Sequence, residues 1–214
     1  MKEYLNAQSK TNNLVTGYNI SSDELHRFAH YDYRWADNKG KSFQHRKVLK
    51  GEVYQFEFGK NYIPEMSYEH RGLVLRVNGK LLYVLPIFSY DVAKQPDVYH
   101  PIDFPESKSD LYLLKSSEYS FIQHDSVLKL NDMRTVSLNR ILYQQNNGRM
   151  DITSDAFKGI ENLVFKKYFP EFHYEYELRQ EKIEEQDKTI QELNQQIEKL
   201  KGDILRLNIQ MNKE

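Results

Sequence analysis

Two apolar stretches separated by a polar loop set the pattern in the middle of the chain. Glu52-Val53-Tyr54-Gln55-Phe56-Glu57-Phe58 alternates apolar and polar positions at a period of two, which predicts a half-buried strand at a sheet edge or in a barrel wall. Leu73-Val74-Leu75-Arg76-Val77 is a second strand, and the intervening residues 59–70 are too many for a tight hairpin. Asn78-Gly79 predicts a type I′ turn, in which both central residues take positive φ. It leads into a third strand over 80–88. There Leu81, Leu82, Tyr83, Val84, Leu85 and Ile87 form a nearly continuous apolar run suited to burial on both faces. A polar, Pro-containing excursion over 90–110 precedes short strands at 111–114, 125–130 and 133–136. Several short strands divided by turn signals describe a small antiparallel barrel.

Helical periodicity flanks this region. Residues 1–22 are polar with scattered apolar positions and read as a loosely packed arm. From Ser22, a predicted N-cap, Leu25, Phe28, Asp32 and Trp35 recur at three and four residues, giving a helix expected to dock on the sheet through Phe28 and Trp35. A basic connector follows over 39–50. From Ser154, Phe157, Ile160, Leu163, Val164 and Tyr168 define another helix, stopped by Pro170 and placed to cover an open face of the barrel. Further on, Ile183, Ile190, Ile197, Ile204 and Met211 are spaced by sevens, with Leu193, Leu200 and Leu207 three residues after the preceding isoleucines. Isoleucine at a with leucine at d predicts a parallel two-stranded coiled coil, frayed at Gln186 and paired across copies by Lys182 and Asp187. A lone amphipathic helix folded back on the barrel is the alternative. The expected fold is thus α+β, in three parts: an arm and helix (1–45), a barrel with its covering helix (46–172) and a coiled coil (173–214).

Composition narrows the function classes. A formal net charge of −1 over 214 residues argues against a polybasic nucleic-acid binder, while leaving room for a local basic groove. The absence of cysteine removes a disulfide framework, a thiolate nucleophile and a Cys-based zinc site. The first residues carry no apolar signal-peptide core, and no window is apolar enough to span a bilayer. A soluble, cytoplasmic protein without membrane contact is the expectation. His26 and His30 lie one helical turn apart, but no third ligand accompanies them at a metal-binding spacing, so they are read as surface or packing residues. The 59–70 loop holds several groups able to handle protons or phosphate, and loops on a rigid sheet are where function concentrates.

Three blocks within about 47–169 resemble the MazF/PemK family of ribonuclease toxins. Gly51-Glu52-Val53-Tyr54 with Phe58-Gly59, Glu65 and Arg71-Gly72-Leu73-Val74-Leu75 is similar to the family's opening strand, acidic loop and second strand. Val84-Leu85-Pro86-Ile87-Phe88-Ser89 resembles its third strand. Asp125-Ser126-Val127, then Met133-Arg134-Thr135-Val136 and Arg140-Ile141-Leu142, resembles its late block. The resemblance implies an SH3-like barrel dimer, paired with a cognate antitoxin protein, that cuts single-stranded RNA without metal or other cofactor and leaves a cyclic phosphate and a 5′ hydroxyl. It implies Arg71 as the principal catalytic residue, with Ser89, His70 and Glu65 assisting and with Lys60, Tyr62, Tyr68 and Arg134 on the RNA. A guanidinium suits the charge that develops on phosphate, but Arg71 is a poor general base, so proton abstraction falls to neighbours such as His70 or Glu69. Gly72 stands where the family has proline. Phe88 aligns with the family's catalytic threonine, leaving Ser89 one residue on, where only a bulge near Pro86 or Phe88 would turn its hydroxyl to the face of Arg71. Arg71 could instead pair with Glu65 or Glu69, and Arg134 could serve a structural ion pair. The rival function is a catalytically silent module that binds RNA or a protein and acts through its coiled coil.

Overall fold

The computed structural model describes residues 1–39 and 47–211, and its helices are α1 (Lys2–Gly17), α2 (Ser22–Asn38), α3 (Asp155–Tyr168) and α4 (Pro170–Met211). Its strands are β1 (Glu52–Glu57), β2 (Glu69–Asn78), β3 (Leu81–Ser89), β4 (Leu111–Leu114), β5 (Ser126–Lys129), β6 (Arg134–Ser137) and β7 (Ile141–Arg149). The strands pair antiparallel in the order β4-β5-β3-β2-β1-β7, with β6 also on β3. Among the described residues β4 and β7 do not pair, so the architecture is α+β with an open sheet rather than a closed barrel.

β1 departs from its alternating sequence. It lies inside the sheet, between β2 and β7, and is buried on both faces. Its buried Glu52 is tolerated because Oε2 accepts from the Leu49 amide at 2.7 Å and the Tyr54 hydroxyl at 2.8 Å. The β2–β3 turn is shifted by one residue from the sequence reading. Asn78 pairs with Leu81, so Gly79 and Lys80 are the central residues, and Gly79 alone takes positive φ, at 61°. That is the position where a II′ turn takes glycine.

β3 changes partners along its length, with Leu81–Val84 against β6 and Ile87–Ser89 against β5. Pro86, which cannot donate to a ladder, sits at the changeover. One face of the sheet packs Tyr54, Phe56, Val74, Leu82, Val84, Val136 and Ile141 together. The other carries the buried Val53, Leu73, Leu85, Ile87 and Leu128, and α3 lies beside that face, its Ala156, Gly159 and Leu163 lining a pocket with Tyr112. Ser154 Oγ caps α3 by accepting from the Phe157 amide at 3.2 Å.

The sequence reading missed β7 beyond Leu142 because its second half is Gln144-Gln145-Asn146-Asn147-Gly148, with no alternation to reveal a strand. Asn146 and Asn147 take φ of 46° and 51°, and the register against β1 jumps from Tyr54–Gln144 to Glu52–Arg149 across them.

The N-terminal arm is also corrected. Residues Lys2–Gly17 form a helix with no buried residue, which is why no apolar face announced it. α2 is capped by Ser21 rather than Ser22, its Oγ accepting from the Glu24 amide at 3.2 Å. Trp35 is 55 % exposed and Phe28 only half buried, so α2 is held by charge instead of an apolar dock. Lys60 Nζ lies 2.7 Å from Asp32 and 3.2 Å from the Phe28 ring centroid, and Arg34 pairs with Glu57 at 3.2 Å and with Glu69. Most of the predicted basic connector lies outside the described residues.

The chain divides into two compact units, Met1–Val164 and Phe165–Glu214. The second is dominated by α4, a continuous helix of 42 residues that opens on Pro170, where the missing N–H costs no helical bond. Within it Ile183, Ile190, Leu193, Ile197, Leu200 and Ile204 are 47–60 % exposed. No described helix is long and apolar enough to cross a membrane.

Candidate active site

Strand register decides which side chains can meet. Arg71 pairs with Ile87, and no register shift separates Ile87 from Ser89, so Arg71 and Ser89 lie on the same face of the sheet. Phe88 lies on the other. The bulge expected near Pro86 or Phe88 is therefore not needed, and the one register shift in this pair falls on β2, between Val74 and Arg76. Across β5, Ser89 pairs with Ser126, which brings a second hydroxyl to the same face.

The polar groups there are connected. Arg71 Nη2 donates to Ser126 Oγ at 3.1 Å, and Ser126 Oγ donates to the His124 carbonyl at 3.0 Å. Ser89 Oγ lies 2.8 Å from His124 Nε2. Ser126 is fully buried, whereas Ser89 and His124 are exposed, so the cluster runs from the sheet interior to solvent. Burial draws the Arg71 pKa below the usual guanidinium value, though the group remains charged at neutral pH. The cluster thus offers a fixed cation, two hydroxyls and a solvent-facing imidazole: a charge clamp beside a proton acceptor. Asp125 is held by Ser116, whose amide and hydroxyl each donate to Oδ1 at 2.8 Å; these bonds lower its pKa and keep it out of the cluster.

The other predicted site residues fall elsewhere. His70 pairs with Phe56, on the face opposite Arg71. Burial, with Arg27 and Arg71 adding to it, lowers its pKa to about 4, so it is a neutral imidazole at pH 7. Glu65 and Arg134 meet each other at 3.5 Å instead of joining Arg71. Arg134 Nε also donates to Asp132 Oδ1 at 2.8 Å and its guanidinium lies 5.7 Å from the Phe58 ring centroid. Asp132 Oδ2 accepts from the Met66 amide at 2.7 Å, and Lys129 Nζ reaches the Pro64 carbonyl. These contacts fasten the 59–68 loop, with its groups expected to handle protons or phosphate, to the β5–β6 turn on the side of the sheet away from Arg71.

Lys60 is engaged by Asp32 and Phe28 on α2, and Tyr62 projects from the loop tip at 89 % exposure. Tyr68 has positive φ, at 62°, and its pKa is raised by burial and then by the carboxylates of Glu24, Glu57 and Asp32. The alternative of Arg71 pairing with Glu65 or Glu69 is not what forms, since Glu69 pairs with Arg34 and Glu65 with Arg134. His26 and His30 stack with ring centroids 5.1 Å apart, and no group of three His, Asp or Glu able to hold a metal occurs among the described residues.

Sequence reasoning missed His124 and Ser126. Ser126 lay inside the Asp125-Ser126-Val127 block, and its signal was parity: Ser126 and Leu128 share one face while Val127 takes the other. His124, a lone histidine before a strand, gave no such signal. No protein-family model matches the chain, and a search of curated proteins finds no match.

Proposed function

We propose that the chain is a metal-independent endoribonuclease of the toxin class, built on an SH3-like sheet of the MazF/PemK kind, that cuts single-stranded RNA through the Arg71–Ser126–Ser89–His124 cluster. The observation that carries this reading is the placement of Arg71 and the Ser89–His124 pair on one face of the sheet, with Ser126 joined to Arg71. In the proposed step the 2′ oxygen attacks the adjacent phosphorus, the bond to O5′ breaks, and the products are a 2′,3′-cyclic phosphate and a 5′ hydroxyl. Arg71 binds the phosphate oxygens as negative charge builds on them. With Nε2 unprotonated, His124 takes the 2′ proton directly or through Ser89, and solvent returns a proton to O5′. His70, neutral and facing the opposite side, has no part in proton transfer.

The cognate antitoxin and a homodimer, formed through the sheet, through the heptads of α4 or through both, belong to the same reading. The half-exposed isoleucines and leucines of α4 favour the second reading, a binding module that acts through its coiled coil. One assay separates them. Purified chain incubated with mixed-sequence RNA in EDTA yields fragments bearing cyclic phosphate and 5′ hydroxyl ends if the enzyme reading holds. Intact RNA, together with unimpaired growth of cells expressing the chain, would favour the binding module.

A further inference from the structure

On the side of α2 facing the sheet, a pocket of about 250 Å³ is enclosed by Tyr31, Arg34, Trp35 and Lys39 from the helix region and by Glu57 and Arg140. Its charge is unbalanced. Glu57, the only carboxylate among the described lining residues, is already satisfied by Arg34 at 3.2 Å and by the Gly59 amide at 3.2 Å. Arg140 donates through Nη1 to the Glu57 carbonyl at 2.9 Å, a neutral acceptor, and no carboxylate among the described residues forms an ion pair with it. The Lys39 ammonium rests 5.0 Å from the centroid of the Trp35 ring. Trp35 is 55 % exposed, so one wall of the pocket is a solvent-accessible indole with two cations beside it.

The pocket is also aligned with the candidate active site. Glu57 lies two residues from Gln55, the register partner of Arg71, and therefore on the same face. At about 3.4 Å of rise per residue the two positions are about 7 Å apart along the strand. That places the pocket within the reach of a nucleotide next to one whose phosphate is held by Arg71.

We propose that this pocket is a nucleotide subsite, in which a base stacks on Trp35 and its phosphate is held by Lys39 and Arg140. The chemistry fits on both counts: base–aromatic stacking tolerates any base, and guanidinium and ammonium groups are the usual partners of phosphate. A base taking the indole face over which the Lys39 ammonium rests displaces that ammonium toward the phosphate. As the flanking subsite of an RNA-cutting centre the inference rests on the ribonuclease reading, but the pocket binds nucleotide whether or not the strand is cut.

Trp35 is the only tryptophan in the chain, so its fluorescence reports on this pocket alone. The full chain is titrated with a 2′-O-methyl RNA trinucleotide, which offers no 2′ hydroxyl for cleavage, and separately with adenosine 5′-monophosphate, uridine 5′-monophosphate and inorganic phosphate. Saturable quenching by the nucleotides but not by phosphate is expected. Lys39→Gln, at an exposed position, should weaken it about tenfold, the loss of one charge-assisted contact, and Arg140→Gln by a similar factor if that variant folds. Absence of quenching, or quenching that Lys39→Gln leaves unchanged, overturns the proposal. Quenching by a chain that leaves unmodified RNA intact would retain the subsite and reject the nuclease; cleavage without quenching would do the reverse.

Discussion

Gly72 offers a direct check on how Arg71 is held, because it is the next residue on β2 and its backbone is crowded on one side. A Cβ added there would lie 2.4 Å from Val84 Cγ1, 2.9 Å from Phe56 Cδ2 and 3.1 Å from Phe56 Cε2. Both neighbours are fully buried in the same apolar cluster, so neither can swing aside into solvent. Gly72 does not have positive φ, so an alanine is acceptable to the backbone and the effect is one of space alone. Forcing a methyl into a filled core costs about 1–3 kcal/mol. The lower entropy of an unfolded chain with alanine offsets about 0.4–1 kcal/mol of that. Taking the middle of both ranges, Gly72→Ala should lose about 1.3 kcal/mol, read as a lower urea midpoint at unchanged slope. Val84→Ala removes the clashing methyl and destabilises by itself through the cavity it leaves. In the double variant the two losses should fall short of their sum by about 0.5 kcal/mol or more. A Gly72→Ala protein as stable as the parent, or two losses that simply add, would refute this account of the packing. The same crowding leaves no room for a proline ring at this position, because Phe56 and Val84 already fill the space it would need.

Three further outcomes follow from the geometry. The His70 pKa is depressed to about 4, so between about pH 6.5 and 4 the unfolded chain binds a proton that the folded chain does not; stability should fall by up to roughly 3 kcal/mol as pH drops through that window, and His70→Asn should flatten the fall in urea titrations. Asp132→Ala removes the partner of the Met66 amide and of the largely buried Arg134, and should cost about 3 kcal/mol or more and admit protease near Tyr62, whereas Glu65→Ala, at an exposed carboxylate, should cost about 1 kcal/mol or less; equal losses would contradict the anchoring role given to Asp132. If the heptads of α4 are the dimer seam, the full chain should sediment at twice its monomer mass and an Ile190→Asn, Ile197→Asn double variant as a monomer, because polar substitution at two successive a positions disrupts the seam; an unchanged dimer mass would rule out α4 as the sole seam.

Periodic elements were legible in the sequence, and elements defined by register were not. The heptads of α4 and the apolar positions Phe157, Ile160 and Val164 of α3 are repeats that the helix geometry imposes directly. The run Leu81 to Ile87 likewise carried its burial in its composition. By contrast, α1 has no buried face to advertise, and the amide-rich half of β7 is held by two left-handed asparagines and an irregular register. For the site, Arg71 stood out by its position after the polar loop, but its companions depend on which residue of β3 it faces. Counting from the alignment put Phe88 beside it; the actual pairing with Ile87 brings Ser89 to its face. Arg134 is a cation whose charge would suit phosphate as well as a carboxylate, and Glu65 is a carboxylate that could have handled a proton; only the placement of Asp132 reveals that both are spent on the loop.

Whether Arg71 and His124 cut RNA from one face of the sheet, as proposed, is decided by the single-turnover cleavage rate of one RNA, in EDTA, by the parent chain and by Arg71→Ala, Arg71→Lys and His124→Ala, with folding checked by circular dichroism. Loss of the charge clamp should slow cleavage about 10²- to 10³-fold, with little rescue by lysine, which lacks the bidentate fork. Loss of the imidazole should slow it about 10²-fold or more. A folded Arg71→Ala or His124→Ala protein that cleaves at the parent's rate would contradict the account.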